Sequence, residues 1–406
     1  MYEFAIIWDW LAFAVRWLHV ITGIAWIGSS FYFVALDLGL KKVPGMPVGA
    51  YGEEWQVHGG GFYHIQKYLV APERMPDHLV WFKWESYATW LSGFAMLCIV
   101  YYAGANLFLV DQATMPMPDW LAILISLASL SVGWLLYDNL CKSRLANNPT
   151  TLMVILFVIL LCMAWGYTHV FTGRAALLHL GAFTATIMSA NVFMVIIPNQ
   201  EIVVADLKAG RTPDPKYGKI AKLRSTHNNY LTLPVLFLML SNHYPLAFAT
   251  EYNWIIASLV FLMGVTIRHY FNTMHATGRK PNWTWAATAI IFVIIMWLST
   301  APGSQRPELQ MSATDQRFAS AQGFEAASTA VVGRCSMCHT AEPSWPGIHQ
   351  APKGVVLDTP QAIAQHAREI YLQAGRSHAM PPGNVTEIEP AERKAIVDWY
   401  RAAVAG

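Results

Sequence analysis

The chain is 406 residues long, 55% hydrophobic and 13% charged, with 17 tryptophans and a positive mean hydropathy. That balance excludes an ordinary soluble domain and points to an integral membrane protein. The formal net charge is only +2 and no Lys/Arg-rich tract occurs, so a nucleic-acid partner is set aside.

The opening MYEFAIIWDWLAFAVRWLHV has no early Lys or Arg, and it reads as a retained helix rather than a cleaved leader. Apolar stretches of about 20 residues, enough to cross a ~30 Å hydrocarbon layer, fall at 10–38, 87–105, 119–140, 152–171, 175–197, 231–249, 254–274 and 283–300. These predict eight transmembrane helices. Basic residues gather after the odd-numbered spans: Lys41, Lys42, Lys67, Arg74 and Lys83; Lys142 and Arg144; Lys208, Arg211, Lys216, Lys219, Lys222 and Arg224; Arg279 and Lys280. The opposite loops hold only Arg174. The positive-inside bias then puts both termini outside, in the periplasm if this is a bacterial inner membrane.

The spans repeat. LHVITGIAWIGSSFYF of the first lies over LHLGAFTATIMSANVF of the fifth, aligning His19 with His179, and WLLYDNL of the third lies over RHYFNTM of the seventh, pairing Asp138 with Asn272. This predicts a four-helix unit duplicated in one orientation. An intramembrane histidine at matched depth in each half is a candidate ligand pair for a haem b, with His243 as an alternative ligand; the competing reading is a neutral histidine bonded across a helix interface. The lone Cys98, Cys141 and Cys162 read as packing residues.

The halves differ where polar residues replace apolar ones. His227, Asn228 and Asn229, with Arg268, His269, Asn272 and His275, collect near the inner surface, joined by His58 and His64 from the first inner loop. Rich in hydrogen-bond donors and holding one fixed cation, this group suits a flat, anionic ligand.

After the eighth span APGSQRPELQMSATDQ reads as a linker. Beyond it, Cys335-Ser-Met-Cys338-His339 has the C-x-x-C-H spacing of covalent c-type haem attachment, with His339 as an iron ligand. Met380 in HAMPPGN is the favoured second axial ligand over His349, His366 and His378. A zinc site would want a second Cys pair, which is missing. Helices over Phe324 to Cys335 and from Pro390 through Trp399 and Tyr400 complete a small helical unit. The predicted fold is all-α: a tandem-repeat membrane domain (1–302), a linker (303–322) and a class I-like cytochrome c domain (323–406).

The runs LHVITGIAWIGSSFYF, GGGFYHIQKYLVAP, ANVFMVIIPNQ, STHNNYLTLPVLFLMLSNHYP and RHYFNTMHATG, followed by CSMCH, closely resemble the membrane-bound urate hydroxylases, also called cytochrome c urate oxidases, over essentially the whole chain. The resemblance implies oxidation of urate to 5-hydroxyisourate in purine breakdown. Electrons would pass to the C-terminal cytochrome c and on to a soluble cytochrome or terminal oxidase. It makes His227, His269 and Asn229 candidate catalytic residues, and Arg268, Asn272, Asn228, His64 and Tyr63 candidate urate contacts. The alternative is a quinol-oxidising electron-transfer subunit with a tethered cytochrome c.

Overall fold

A computed structural model describes residues 4–68, 76–111, 115–301, 311–346, 348 and 351–405. Arg74, His349, residue 302 and residues 303–310 of the expected linker lie outside the described residues. The first part of the chain is a bundle of helices. It comprises α1 (Phe4–Gly39), α2 (Trp84–Met96) prolonged by a π-turn (Leu97–Tyr102), α3 (Ala105–Phe108), α4 (Asp119–Lys142) and α5 (Pro149–Val170). Next come α6 (Gly173–Ala190), which runs through a second π-turn (Asn191–Ile196) into α7 (Ile197–Lys208), then α8 (Pro215–Ser241), α9 (Pro245–Phe248), α10 (Asn253–Thr277) and α11 (Trp283–Thr300).

Local chemistry sets the ends. Asn148 accepts from the Thr151 amide just ahead of Pro149, and Asp214 from the Lys216 amide just ahead of Pro215, so each helix opens on a side-chain cap and an N1 proline. Among the described residues six helices are long and apolar enough to cross a membrane: α1, α4, α5, the α6–α7 rod, α10 and α11. The other two expected spans differ. α2 changes to π-helix after Met96, and α8 runs from Pro215 to Ser241 rather than over 231–249. Pro245 has no N–H with which to continue the ladder, while the polar first half of α8 is drawn inside the bundle: Arg224 is 2% exposed and His227 1%.

Between α1 and α2 the chain forms an antiparallel hairpin, β1 (Ala50–His58) with β2 (Gly61–Tyr68), so the all-α expectation is corrected. Gly59 and Gly60, at φ 60° and 80°, make the turn, and the two flanking runs alternate polar and apolar residues. One face returns to α1, where the Tyr32 hydroxyl donates to Gln56 (2.6 Å) and Lys67 pairs with Asp37.

The C-terminal unit has its own core. It contains α12 (Ala313–Ser320), α13 (Phe324–Cys335), α14 (Pro360–Gln365), α15 (Ala367–Ile370) with a π-turn (Tyr371–Arg376), and α16 (Pro390–Ala405). α12 falls inside the stretch read as linker (303–322) and corrects it. Ser312 and Asp315 form a capping box, and Phe318 packs edge-on against the fully buried Trp399, whose indole N–H donates to the Phe318 carbonyl (2.8 Å). The unit meets the bundle at the end where α1 begins: Arg368 donates to the Ala5 carbonyl (3.4 Å), and Gly354 lies against Phe248. The hairpin follows the opposite end of α1.

Within the bundle α6 is buried along nearly its whole length, and Gly133 of α4 leaves room for the ring of Phe183. A β-carbon at Gly133 would come within 2.1 Å of that ring. Gly133→Ala should destabilise the bundle by about 1–3 kcal/mol, read as a lower melting temperature of the detergent-purified protein; an unchanged melting temperature would contradict this packing.

Candidate functional site

Two polar clusters are buried at the hairpin end of the bundle, and both use α8. On one face of α8, Asn229 accepts from the Arg268 Nε (3.2 Å) and from the Asn272 Nδ2 (2.9 Å), and Arg268 Nη2 donates to Asn272 Oδ1 (3.0 Å). The Arg268 guanidinium lies over the Phe31 ring at 4.2 Å and is 8% exposed. No carboxylate among the described residues pairs with it. An arginine can only donate, so Asn229 must turn its oxygen towards Arg268. Its Nδ2 is then left as a buried donor without a partner. Beside these groups is a cavity of about 310 Å³ lined by Phe31, Ala35, Leu233, Arg268, Phe271 and His275. Its polar lining is Arg268 and His275, its other walls are the rings of Phe31 and Phe271 with Ala35, Leu233 and Ile267, and it suits a planar anion.

On the other face, Arg224 donates to Asp138 Oδ1 (2.6 Å) and to Asn191 Oδ1 (3.2 Å). Asn191, at the start of the π-turn, donates from Nδ2 to Tyr137 Oη (3.0 Å) and to Asn228 Oδ1 (2.9 Å). Tyr137 Oη in turn lies 2.8 Å from His227 Nδ1. Arg224 fixes part of this chain by the same logic: Asn191 presents its oxygen to the guanidinium, so its amide N–H groups go to Tyr137 and Asn228. His227 Nε2 is a buried atom without a partner. Lys142 also pairs with Asp138, but it is 68% exposed against 2% for Arg224. Arg224→Ala should cost about 3–5 kcal/mol and Lys142→Ala under about 1 kcal/mol, compared by chemical denaturation; equal losses would refute the buried pair.

The remaining expected residues lie elsewhere. His269, next to Arg268, is exposed and faces Trp283 of α11 at 6.2 Å. His64 bonds Glu53 (2.8 Å) and stacks on Trp55, and Tyr63 is exposed on the hairpin. His243 is exposed in the turn after α8. His19 Nδ1 bonds the Thr89 carbonyl and Ser92 of α2, whereas His179 uses both ring nitrogens, on the Ala175 carbonyl (2.8 Å) and on Ser126 of α4 (2.9 Å). The two rings are thus bonded to different helices, His19 to α2 and His179 to α4 and its own helix. Phe31, Tyr137 and Asn191 were missed by the sequence reading, and Arg224 was read there as a loop cation. The available signal was its spacing of one helical turn from His227 and Asn228.

In the C-terminal unit, α13 ends at Cys335, whose carbonyl accepts from the amides of Cys338 and His339. His339 Nδ1 lies 2.8 Å from the Val355 carbonyl, which can only accept, so the proton sits on Nδ1 and the Nε2 lone pair is free for a metal. Met380 packs on the same core, and Arg393 holds its carbonyl (2.9 Å). A thioether, an oriented imidazole and two adjacent thiols are a donor set that fits a c-type haem. Nearby, burial pushes the Glu369 carboxyl up to about 7, outweighing Arg368 and Arg174, with Asp9 adding in the same direction. The fold favours the neutral acid, so this contribution to stability is complete in acid and lost as pH rises through about 7. Glu369→Gln should flatten the fall in melting temperature over that range; a variant with the wild-type slope would contradict it.

Comparison with curated proteins and with solved structures returns no match. The urate oxidase N-terminal family matches residues 5–299, which contain both α8 clusters and end before the Cys335–His339 segment. The match covers most of the chain, and the chain belongs to the urate oxidase N-terminal family.

Proposed function

We propose that the protein oxidises urate to 5-hydroxyisourate and delivers the electrons to a covalent haem c on its C-terminal unit. Family membership supports oxidation chemistry on urate, and one observation carries the site: a buried arginine without a carboxylate, stacked on Phe31 beside an open cavity. A cation left uncompensated inside an apolar bundle is costly unless a ligand supplies the counter-charge. Monoanionic urate does so. Its flat ring matches the aromatic wall, and its carbonyl oxygens match the free donors of Arg268 and Asn229.

The reaction balances as urate plus water giving 5-hydroxyisourate, two protons and two electrons. Arg268 and Asn229 hold the anion, Asn272 fixes their mutual orientation, and the apolar walls exclude bulk water. His227, on the other face of α8, is held through Nδ1 by Tyr137. His275, lining the cavity, is the ring nearest to the anion for taking a proton. A haem c bound through Cys335 and Cys338, with His339 and Met380 towards the iron, supplies a one-electron acceptor. A soluble cytochrome or terminal oxidase would then reoxidise it. Eight membrane crossings in a bacterial inner membrane, oriented by the loop charges, would leave the hairpin end cytoplasmic and the C-terminal unit, from about residue 311, periplasmic.

Urate added anaerobically to membranes should reduce the haem c absorbance band. Reduction by quinol and not by urate would favour the electron-transfer-subunit reading instead. Arg268→Ala removes a charged hydrogen-bond partner worth roughly 1.5–3 kcal/mol. The urate concentration for half-maximal reduction should therefore rise about ten- to a hundred-fold with haem content unchanged, and loss of haem would move Arg268 out of the substrate site.

A further inference from the structure

Phe248 ends α9 and is 6% exposed, held between two glycines that come from distant parts of the chain. A β-carbon at Gly173, the first residue of α6, would meet the Phe248 carbonyl oxygen at 2.4 Å. A β-carbon at Gly354, in the C-terminal unit, would meet the Phe248 ring at 3.1 Å, and Gly354 also has φ +70°. Gly354 is therefore required twice, by its backbone conformation and by the ring against it.

What lies on either side of this contact gives it meaning. Gly354 precedes Val355, whose carbonyl orients His339, and the Leu357 amide bonds back to the His339 carbonyl (2.7 Å). The Phe248 ring is thus one residue from the group that aims the imidazole. On the bundle side, the Phe248 carbonyl accepts from Asn253 Nδ2 (3.1 Å), and Asn253 Oδ1 accepts from Thr168 of α5 (2.9 Å), so α9 is fixed to α5 and α10. Arg174, next to Gly173 and the one basic residue on its set of loops, lies over Phe108 (5.5 Å), close enough to Glu369 and His366 for its charge to act on both. The Arg368 bond to the Ala5 carbonyl is a second tie.

We propose that Phe248 is a positioning residue: it docks the His339 loop onto the bundle and thereby sets how fast electrons leave the membrane part for the C-terminal unit. The docking half stands on the contact itself, whereas the electron-transfer half rests on the haem c reading above. Substrate contact is not assigned to Phe248, which lies at the opposite end of the bundle from Arg268.

The two halves are tested separately in the full-length membrane-embedded protein. With p-benzoylphenylalanine at position 248, illumination should cross-link to a peptide containing Gly354, found by mass spectrometry; cross-links confined to lipid or to other bundle helices would overturn the docking. In anaerobic stopped flow, Phe248→Ala should slow urate-driven haem c reduction about tenfold or more, ~1.4 kcal/mol on the barrier. Haem spectrum, reduction potential and half-saturating urate should be unchanged, and Phe248→Tyr should restore most of the rate. An unaltered rate in Phe248→Ala, or a slowed one with a shifted potential, would overturn the positioning role. Wild-type haem c reduced by ascorbate but not by urate would sink the proposed function and leave the cross-link to judge the docking.

Discussion

The buried guanidinium of Arg224 is the constraint on which the polar interior depends. It is 2% exposed and can only donate, so Asp138 and Asn191 must present oxygens to it. The turn of Asn191 follows, and with it the amide donors that Tyr137 and Asn228 receive. A single unmet buried polar atom costs about 1–3 kcal/mol, enough to enforce each orientation. The π-turn at Asn191 belongs to the same arrangement, because one extra residue in the α6–α7 rod aims that side chain at α8.

α8 is one of the two expected spans, with α2, that are not long, apolar helices among the described residues. Its first half carries Arg224, His227, Asn228 and Asn229 inward, and bundle packing hides them where hydropathy alone would put a loop. The two faces of the helix do different jobs. The face towards Tyr137 and Asn191 holds a carboxylate-paired arginine in a chain of hydrogen bonds and acts as framework. On the face towards Arg268 no carboxylate among the described residues is paired with the guanidinium, and a cavity lined in part by Arg268 and Phe31 lies beside it. That contrast, an arginine with its carboxylate beside an arginine without one, separates structural charge from ligand-binding charge within one short stretch of α8 and its neighbours.

At the other end of the bundle the governing feature is close approach. Glycines 173 and 354 let backbone and ring come together where any side chain would intrude. The geometry that orients His339 is thereby coupled to the geometry of α9. The C-terminal unit is otherwise self-sufficient, with Trp399 at the centre of its core and α12 clasped onto it by Phe318.

The sequence by itself determined whatever is written in contiguous residues. The Cys335–His339 spacing and the helices beginning at Phe324 and Pro390 depend on neighbours along the chain. The hairpin was hidden because its signal is two short alternating runs around His58-Gly-Gly-Gly61 amid much longer apolar periodicity. Only the tertiary structure decided that Arg224 is interior, that His227 and Asn229 serve different clusters, that His269 and His64 stand apart from Arg268, and that Phe31 and Phe248 matter. The reason is physical: Arg224 meets Asp138 at a sequence separation of 86 and His227 meets Tyr137 at one of 90. A polar side chain's role is set by the acceptor it finds, and that acceptor is brought by another helix.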